Sequence, residues 1–149
     1  MDYVTSALAY HLVKSPKVLI SGLSGGENIL RALYFNSEKI DVVETNPQIV
    51  ELLKKEYNNF SGNIYDLPTI KIYVGNLRNF LIKTKNLYNV IFIPPENSSS
   101  MSSVGFESVN VSNLFTVEAI KVYLDKLKTN GILSITSWIK IPPRNSLKL

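Results

Sequence analysis

The chain has 149 residues, of which 45% are hydrophobic and 19% are charged. This length suits one domain, which can bury about 70% of its unfolded surface, and the composition excludes a mainly disordered chain. Cysteine is absent, which excludes disulfides and thiolate chemistry. The sequence shows neither a signal peptide nor the roughly 20 apolar residues of a membrane helix. We therefore expect a soluble, cytoplasmic domain.

The net charge of +4 raises the expectation of acidic partners. The lysines are scattered along the sequence, however, at positions typical of solvated helix faces and strand edges. We therefore predict no nucleic-acid partner and no membrane contact by this segment. The sequence also offers no spacing of ligand residues from which a metal site can be built.

Two kinds of hydrophobic pattern alternate along the chain. Short apolar runs rich in branched residues, such as KVLIS at 17–21, are typical of strands buried on both faces. Apolar residues spaced three and four apart predict helices, as in the segment that follows the Asn46 cap and Pro47. In chain order the patterns predict a helix over 2–13, a strand over 17–21, a glycine turn over 22–26, a helix over 27–35, a strand over 39–44, a helix from 47 to about 57, an irregular stretch over 58–69, a strand over 70–74, a helix over 76–83, a strand over 88–93, a serine-rich loop over 94–110, a helix from 112 or 113 to 128, and, after the C′ glycine at 131, a strand over 132–138.

Strands that alternate with helices predict a parallel sheet with right-handed crossovers. We expect an α/β fold, a three-layer α/β/α Rossmann-like sandwich whose mostly parallel sheet has at least five strands in the order 3-2-1-4-5. Residues 1–149 are predicted to form a single domain.

The first candidate site is the glycine turn after the first predicted strand. Gly22, Ser24, Gly25 and Gly26 have small or no side chains, so a nucleotide can approach the backbone closely, and the following helix offers free N–H groups at its start. The full G-x-G-x-x-G spacing is missing, because Ser24 stands where the second glycine would be. A tight turn without a ligand is the alternative interpretation.

Two further candidate positions end or follow neighbouring strands. Glu44 ends the second predicted strand, where an acid can accept both ribose hydroxyls of a nucleoside; an exposed strand-end acid is the alternative. Gly75-Asn76 follows the third strand, and its amide can either pair with a base edge or cap the next helix. A glycine turn with a ribose acid suits NAD as well as an S-adenosyl compound.

The order of segments along the chain resembles the spermidine synthase family, in particular the spermidine-synthase-like domains of multidomain, often membrane-fused bacterial proteins. The resemblance runs from Tyr10 to Leu149 in the segments VLISGLSGGE, IDVVETNPQIVEL, FSGNIYDLP, VGNLRNFL, YNVIFIPPENS, LFTVEAIKVYLDKLKTNGILSIT and WIKIPPR. It implies a methyltransferase-type fold that binds S-adenosylmethionine or its decarboxylated form. It also implies that the chain is a piece of a longer protein and lacks the last strands of the full fold.

The resemblance assigns roles to individual residues. The family's glycine turn corresponds to Gly22–Gly26, its ribose acid to Glu44, and its adenine-side Gly-Asp pair to Gly75-Asn76, where an amide replaces the acid. These positions are the predicted cofactor-binding residues.

The family's catalytic base is an aspartate after the fourth strand, and it is replaced in this chain. Pro94 and Pro95 are followed there by Glu96 and Asn97. An amide cannot accept the proton of an amine nucleophile, so Glu96 is the candidate catalytic residue. We expect little or no aminopropyl transfer of the kind that spermidine synthases perform.

Two functions remain open. The first is a spermidine-synthase-like transferase domain, in the class of polyamine biosynthesis enzymes, whose acceptor the sequence does not name. The alternative is a non-catalytic nucleoside-binding or interaction module that kept the fold and lost the base. In both cases the predicted ligand is a small nucleoside, and the domain is expected in the cytoplasm or on the cytoplasmic face of a membrane-fused parent protein.

Overall fold

The computed structural model of the chain describes residues 3–95 and 114–137. Five strands and five helices are found there. The strands are β1 (Lys17–Ser21), β2 (Lys39–Glu44), β3 (Ile70–Val74), β4 (Tyr88–Ile93) and β5 (Leu127–Ile135). The helices are α1 (Leu8–Leu12), α2 (Glu27–Tyr34), α3 (Pro47–Lys55), α4 (Leu77–Lys83) and α5 (Val117–Asp125). Short 3₁₀ turns occupy Thr5–Ala7, Ser24–Gly26 and Ile64–Asp66.

The strands form one sheet in the order β3-β2-β1-β4-β5, and every neighbouring pair is parallel. This confirms the predicted fold class and strand order. Because all strands run the same way, their carboxyl ends meet at one edge of the sheet and their amino ends at the other. We call these the carboxyl edge and the amino edge. Ligands of open parallel sheets bind outside the carboxyl edge.

Helices cover both faces of the sheet, which gives the three predicted layers. On one face, α1, α2 and α3 pack on a cluster that includes Val18, Ile20, Ile40 and Val42. On the other, α4 and α5 pack on a cluster that includes Leu19 and Ile91. The central strands are thus apolar on both sides, as their continuous hydrophobic runs predict.

The last helix and strand differ from the sequence prediction. Helix α5 begins after Thr116, whose hydroxyl caps the backbone N of Ala119 at 3.1 Å, and it ends at Asp125, before the predicted end at Lys128. Gly131 is not a helix C′ residue but lies within β5, in a stretch where the register to β4 shifts. Pairing of Leu127 with Tyr88 ends the helix early. Tertiary strand pairing therefore overrides the local helical pattern.

The first helix is also shorter than the pattern predicts. A 3₁₀ turn at Thr5–Ala7 leads into α1, which covers Leu8–Leu12, and the N-cap residues Val4 and Ala7 make no side-chain cap. Asp2, where the predicted helix begins, lies outside the described residues. In residues 3–95 and 114–137, no helix is both long enough and apolar enough to cross a bilayer.

Candidate functional site

The glycine turn lies at the carboxyl edge between β1 and α2, and its backbone explains its composition. Gly22, Ser24, Gly25 and Gly26 all have positive φ, with values of 82°, 45°, 67° and 91°. Left-handed backbone costs an ordinary residue about 1–2 kcal/mol and costs glycine little. A Cβ on Gly25 would meet no atom within 4 Å, so this part of the turn faces open space. The turn therefore leaves its backbone approachable, as a nucleotide requires.

Gly26 has a second reason to be glycine. A Cβ at this position would lie 2.8 Å from the hydroxyl of Tyr65 and 3.1 Å from Cδ1 of Ile64. Tyr65 is 3% exposed, and its hydroxyl has no hydrogen-bond partner among the described residues. Burial raises the pKa of this phenol, so the hydroxyl stays neutral under the turn. The side chains of Ile64 and Tyr65, in the 3₁₀ turn Ile64–Asp66, thus pack against the glycine turn at Gly26.

Glu44 is the last residue of β2, and only 7% of it is exposed. One carboxylate oxygen, Oε2, accepts a hydrogen bond from the backbone N of Leu23 at 2.9 Å. The other, Oε1, accepts one from the backbone N of Asn46 at 2.9 Å and lies 3.4 Å from the Thr45 hydroxyl. A carboxylate has about four acceptor positions, so these bonds fix its orientation and leave capacity for further donors.

Backbone hydrogen bonds hold the predicted segments together around Glu44. The N–H of Gly75 donates to the Glu44 carbonyl at 2.8 Å, and the N–H of Gly22 donates to the Val43 carbonyl at 2.8 Å. Gly75 has a φ of 152°, which again favours glycine. The glycine turn, the acid and the Gly75 corner, which are far apart in sequence, therefore adjoin one another at the carboxyl edge.

Asn76 caps α4. Its side-chain oxygen accepts hydrogen bonds from the backbone N of Arg78 at 3.0 Å and of Asn79 at 3.3 Å. The capping interpretation of this residue is therefore correct, while contact with a base stays a prediction. A cap of this kind uses the oxygen and leaves the amide NH₂ available as a donor.

A shallow groove of about 510 Å³ starts at Gly75 and Asn76 and runs between β3 and α4, away from Glu44. Tyr73 and Phe80, whose rings are 4.6 Å apart, form part of its wall. The glycine turn and Glu44 do not line it. The groove therefore adjoins the candidate site at one corner and is not itself the predicted nucleoside site.

The candidate catalytic position cannot be placed in the same way. Strand β4 ends at Ile93, whose carbonyl accepts a hydrogen bond from the N of Thr136 at 3.0 Å, and Pro94 and Pro95 follow it at the carboxyl edge. Glu96 and Asn97 lie outside the described residues. Within residues 3–95 and 114–137, no group of three His, Asp or Glu side chains could hold a metal ion.

Two contributors to the site were not identified from the sequence. The amide of Leu23 fixes Glu44, and the hydroxyl of Tyr65 lies against Gly26. Both contacts join residues more than 20 positions apart, so no local pattern signals them. From the sequence, Tyr65 is predicted only as part of the irregular stretch over 58–69.

The chain is similar to known proteins in both sequence and structure. Residues 4–140 match the family described as the spermine/spermidine synthase domain. The polyamine aminopropyltransferase of Prochlorococcus marinus (strain MIT 9312) is 30% identical over 125 residues, which are 83% of this chain and 41% of that protein. The structure of a spermidine synthase in complex with the transition-state analogue AdoDATO matches with a TM-score of 0.67 and 28% identity, over 86% of this chain and 41% of that one.

A wider likeness concerns the fold alone. Human methyltransferase-like protein 13, solved in complex with SAH, matches with a TM-score of 0.63 and 18% identity, over 86% of this chain and 60% of that one. The chain spans 41% of the length of the aminopropyltransferase named above. The match over residues 4–140 covers nearly the whole sequence, and the chain therefore belongs to the spermine/spermidine synthase family.

Proposed function

We propose that this chain is the nucleoside-binding part of a transferase and that its ligand is S-adenosylmethionine or decarboxylated S-adenosylmethionine. The observation that carries the proposal is the Glu44 carboxylate, buried at the end of β2 and held by the amides of Leu23 and Asn46 beside an open glycine turn. A carboxylate fixed in this way can accept ribose hydroxyls without first losing side-chain freedom.

The residues present fit such a ligand. Gly25 leaves the backbone open on one side of Glu44, and the Asn76 amide retains donors on the other. In this proposal the glycine turn and Glu44 hold the ribose, and Gly75-Asn76 lies beside the adenine. A bound S-adenosyl sulfonium supplies an electrophilic carbon; the residues of this chain bind and orient it. The acceptor is a small nucleophile whose proton Glu96 would take.

The relatives of this chain favour a transferase over a non-catalytic module. The curated relatives include polyamine aminopropyltransferases, and one matching structure contains a transition-state analogue. The alternative is supported by the two replacements of family acids, at Asn76 and after β4.

Calorimetry tests the proposal directly. The chain is titrated separately with methylthioadenosine, S-adenosylmethionine, decarboxylated S-adenosylmethionine and NAD. We expect heat with the adenosyl sulfur compounds and none with NAD. A clear signal with NAD and none with any of the others would overturn the proposal. A crystal soaked with methylthioadenosine would then show whether the ribose lies on Glu44.

A further inference from the structure

The lysines that look scattered in the sequence are gathered by the fold. In a parallel sheet every helix-to-strand connection returns to the amino edge. Four of the connections, those leading into β1, β2, β4 and β5, together with the first two residues of these strands, hold six lysines: Lys14, Lys17, Lys39, Lys85, Lys126 and Lys128. Glu38 is the one acid in these segments. The buried Asp41 follows the segment into β2, and its Oδ1 lies 3.8 Å from the ammonium of Lys39.

Three of these lysines, Lys17, Lys39 and Lys128, lie near one another at the start of their strands. Lys17 and Lys39 are direct register partners on β1 and β2. The ammonium of Lys128 donates to the side-chain oxygen of Asn89 at 3.0 Å, and the same oxygen accepts the backbone N–H of Lys17. Lys39 and Lys128 both lower the pKa of Lys17, after burial as the main cause, while Asp41 and Glu38 raise it. The ammonium groups are therefore close enough to repel one another.

The carboxyl edge lacks this excess of lysine. Its described turns, 22–26, 44–46, 75–76 and 94–95, contain Glu44 and neither lysine nor arginine. Counted in the same way, the segment leading into β3 holds one lysine, Lys71, against two acids, Glu56 and Asp66, so the excess of lysine ends at β2. Charge is thus segregated across the domain, with the basic surface on the side away from the candidate nucleoside site.

We propose that this amino-edge surface binds the phosphodiester backbone of a nucleic acid duplex. Its lysines span β2, β1, β4 and β5, which is about 14 Å at the usual strand spacing. A duplex presents one phosphate charge per roughly 1.7 Å of its axis, or about eight over that length, of which roughly four face one side. An extended acidic peptide places one carboxylate per roughly 7 Å on a given face, or about two. A row of several flexible ammonium groups therefore matches the duplex better.

Contacts of this kind carry no base specificity, because lysine is a point charge that neutralises phosphates. Binding to the duplex would hold the protein on the nucleic acid without making the nucleic acid its substrate, since the candidate nucleoside site lies at the opposite edge of the sheet. The sequence alone predicts no nucleic-acid partner because it does not show that the sheet gathers the lysines on one side.

The test is fluorescence anisotropy with a labelled DNA duplex of mixed sequence, across a range of salt. If Lys17, Lys39 and Lys128 each neutralise one phosphate, the slope of log K against log salt is about −2.7, and affinity falls roughly 40-fold from about 50 to about 200 mM salt. The triple variant K17Q/K39Q/K128Q should lose most of this slope. The variant R78Q/K121Q removes positive charge from the start of α4 and the middle of α5, away from the amino edge, and should keep it.

The variant K17R/K39R/K128R keeps all three positive charges, so it should bind the duplex like the original chain. It provides a test of the same positions if the glutamine variant fails to fold. Equal losses in both glutamine variants would show that only net charge matters and would overturn the proposal. So would tighter binding to polyglutamate or to phosphatidylserine vesicles than to the duplex. Titrating methylthioadenosine with and without duplex tests the nucleoside site independently of the basic surface. The two dissociation constants should agree, because the duplex binds at the other edge of the sheet.

Discussion

The carboxylate of Glu44 accepts a 2.9 Å hydrogen bond from the backbone N of Leu23, a residue 21 positions earlier in the chain. Its other oxygen accepts one from Asn46 at the same distance. One buried side chain therefore joins the loop after β1 to the loop after β2. In the proposed function the same carboxylate binds the ribose, so Glu44 both shapes the candidate site and contributes to it.

Replacing Glu44 should therefore impair both stability and binding. We expect Glu44→Ala to weaken binding of methylthioadenosine by about 1–3 kcal/mol, because a charge-assisted hydrogen bond is lost. Glu44→Gln should also destabilise the fold, since its NH₂ would face a backbone N–H where an oxygen now accepts. Calorimetry and urea unfolding measure the two effects. Glu38→Ala, which removes an exposed acid at the amino edge, is the control, and equal losses in both variants would contradict the role of Glu44.

Gly26 should be the least replaceable residue of the turn. Gly26→Ala combines left-handed backbone with a Cβ 2.8 Å from the Tyr65 hydroxyl, and we expect it to lower the free energy of unfolding by about 2–4 kcal/mol. Gly25→Ala has the same backbone constraint and no steric contact within 4 Å, so its cost should be about 1–2 kcal/mol.

The double variant Gly26→Ala/Tyr65→Phe isolates the contact. Removing the hydroxyl also removes a buried polar group that lacks a described partner, so it should recover part of the loss. Urea unfolding of the four proteins gives the coupling energy. Additive effects would mean that the turn does not rest on Tyr65.

The sequence predicted the fold well because its information is local. Continuous apolar runs such as KVLIS, and the Asn46 cap before Pro47, specify strands and helices without reference to the rest of the chain. The end of α5 was predicted wrongly because pairing of Leu127 with Tyr88 decides it. The candidate site shows the same contrast between local and long-range information. The glycine at position 26 by itself suggests a backbone with positive φ, which the structure has, whereas its contact with Tyr65 depends on how distant segments pack.

Asn76 separates a structural role from a binding role. Asn76→Ala should lower stability by about 1 kcal/mol, because the cap of α4 is lost. Asn76→Asp keeps a capping oxygen, and it restores the acid found in the family at this position, so stability should be retained and methylthioadenosine should bind at least as tightly. Thermal unfolding and calorimetry report the two properties. Weaker nucleoside binding by Asn76→Asp would contradict the placement of adenine beside this residue.

A buried pair at the other end of the sheet should control alkaline stability. The Tyr88 hydroxyl donates to Oδ2 of the fully buried Asp41 at 2.8 Å. Burial first, and the Asp41 carboxylate second, raise the pKa of Tyr88 above its ordinary value of 10.0. Since the folded pKa is the higher one, the stabilisation is complete below pH 10.0 and declines as the pH rises beyond it.

The free energy of unfolding should therefore fall above about pH 10, by up to about 1.4 kcal/mol per pH unit for each such tyrosine. Tyr88→Phe should unfold more easily near neutral pH by about 1–3 kcal/mol, because Asp41 loses its strongest hydrogen bond. It should also show a shallower alkaline decline, although burial also raises the pKa of Tyr123, to about 12. Urea unfolding between about pH 8 and pH 11 measures both. Tyr57→Phe, at an exposed position, should match the original chain, and an unchanged pH profile in Tyr88→Phe would contradict this account.

Catalytic activity is the most demanding prediction, because binding a nucleoside does not by itself make a transferase. The sequence after β4 reads Pro94-Pro95-Glu96-Asn97 where the family has an aspartate base. With decarboxylated S-adenosylmethionine and putrescine, we expect little or no spermidine by mass spectrometry, since loss of a general base costs about 10²–10⁴-fold in rate. Methylthioadenosine binding by the same sample shows that the protein is folded. Asn97→Asp should raise the rate if the missing carboxylate is the cause. Turnover near 1 per second, an ordinary enzyme rate, would contradict the prediction and point to Glu96, whose replacement by glutamine should then abolish it.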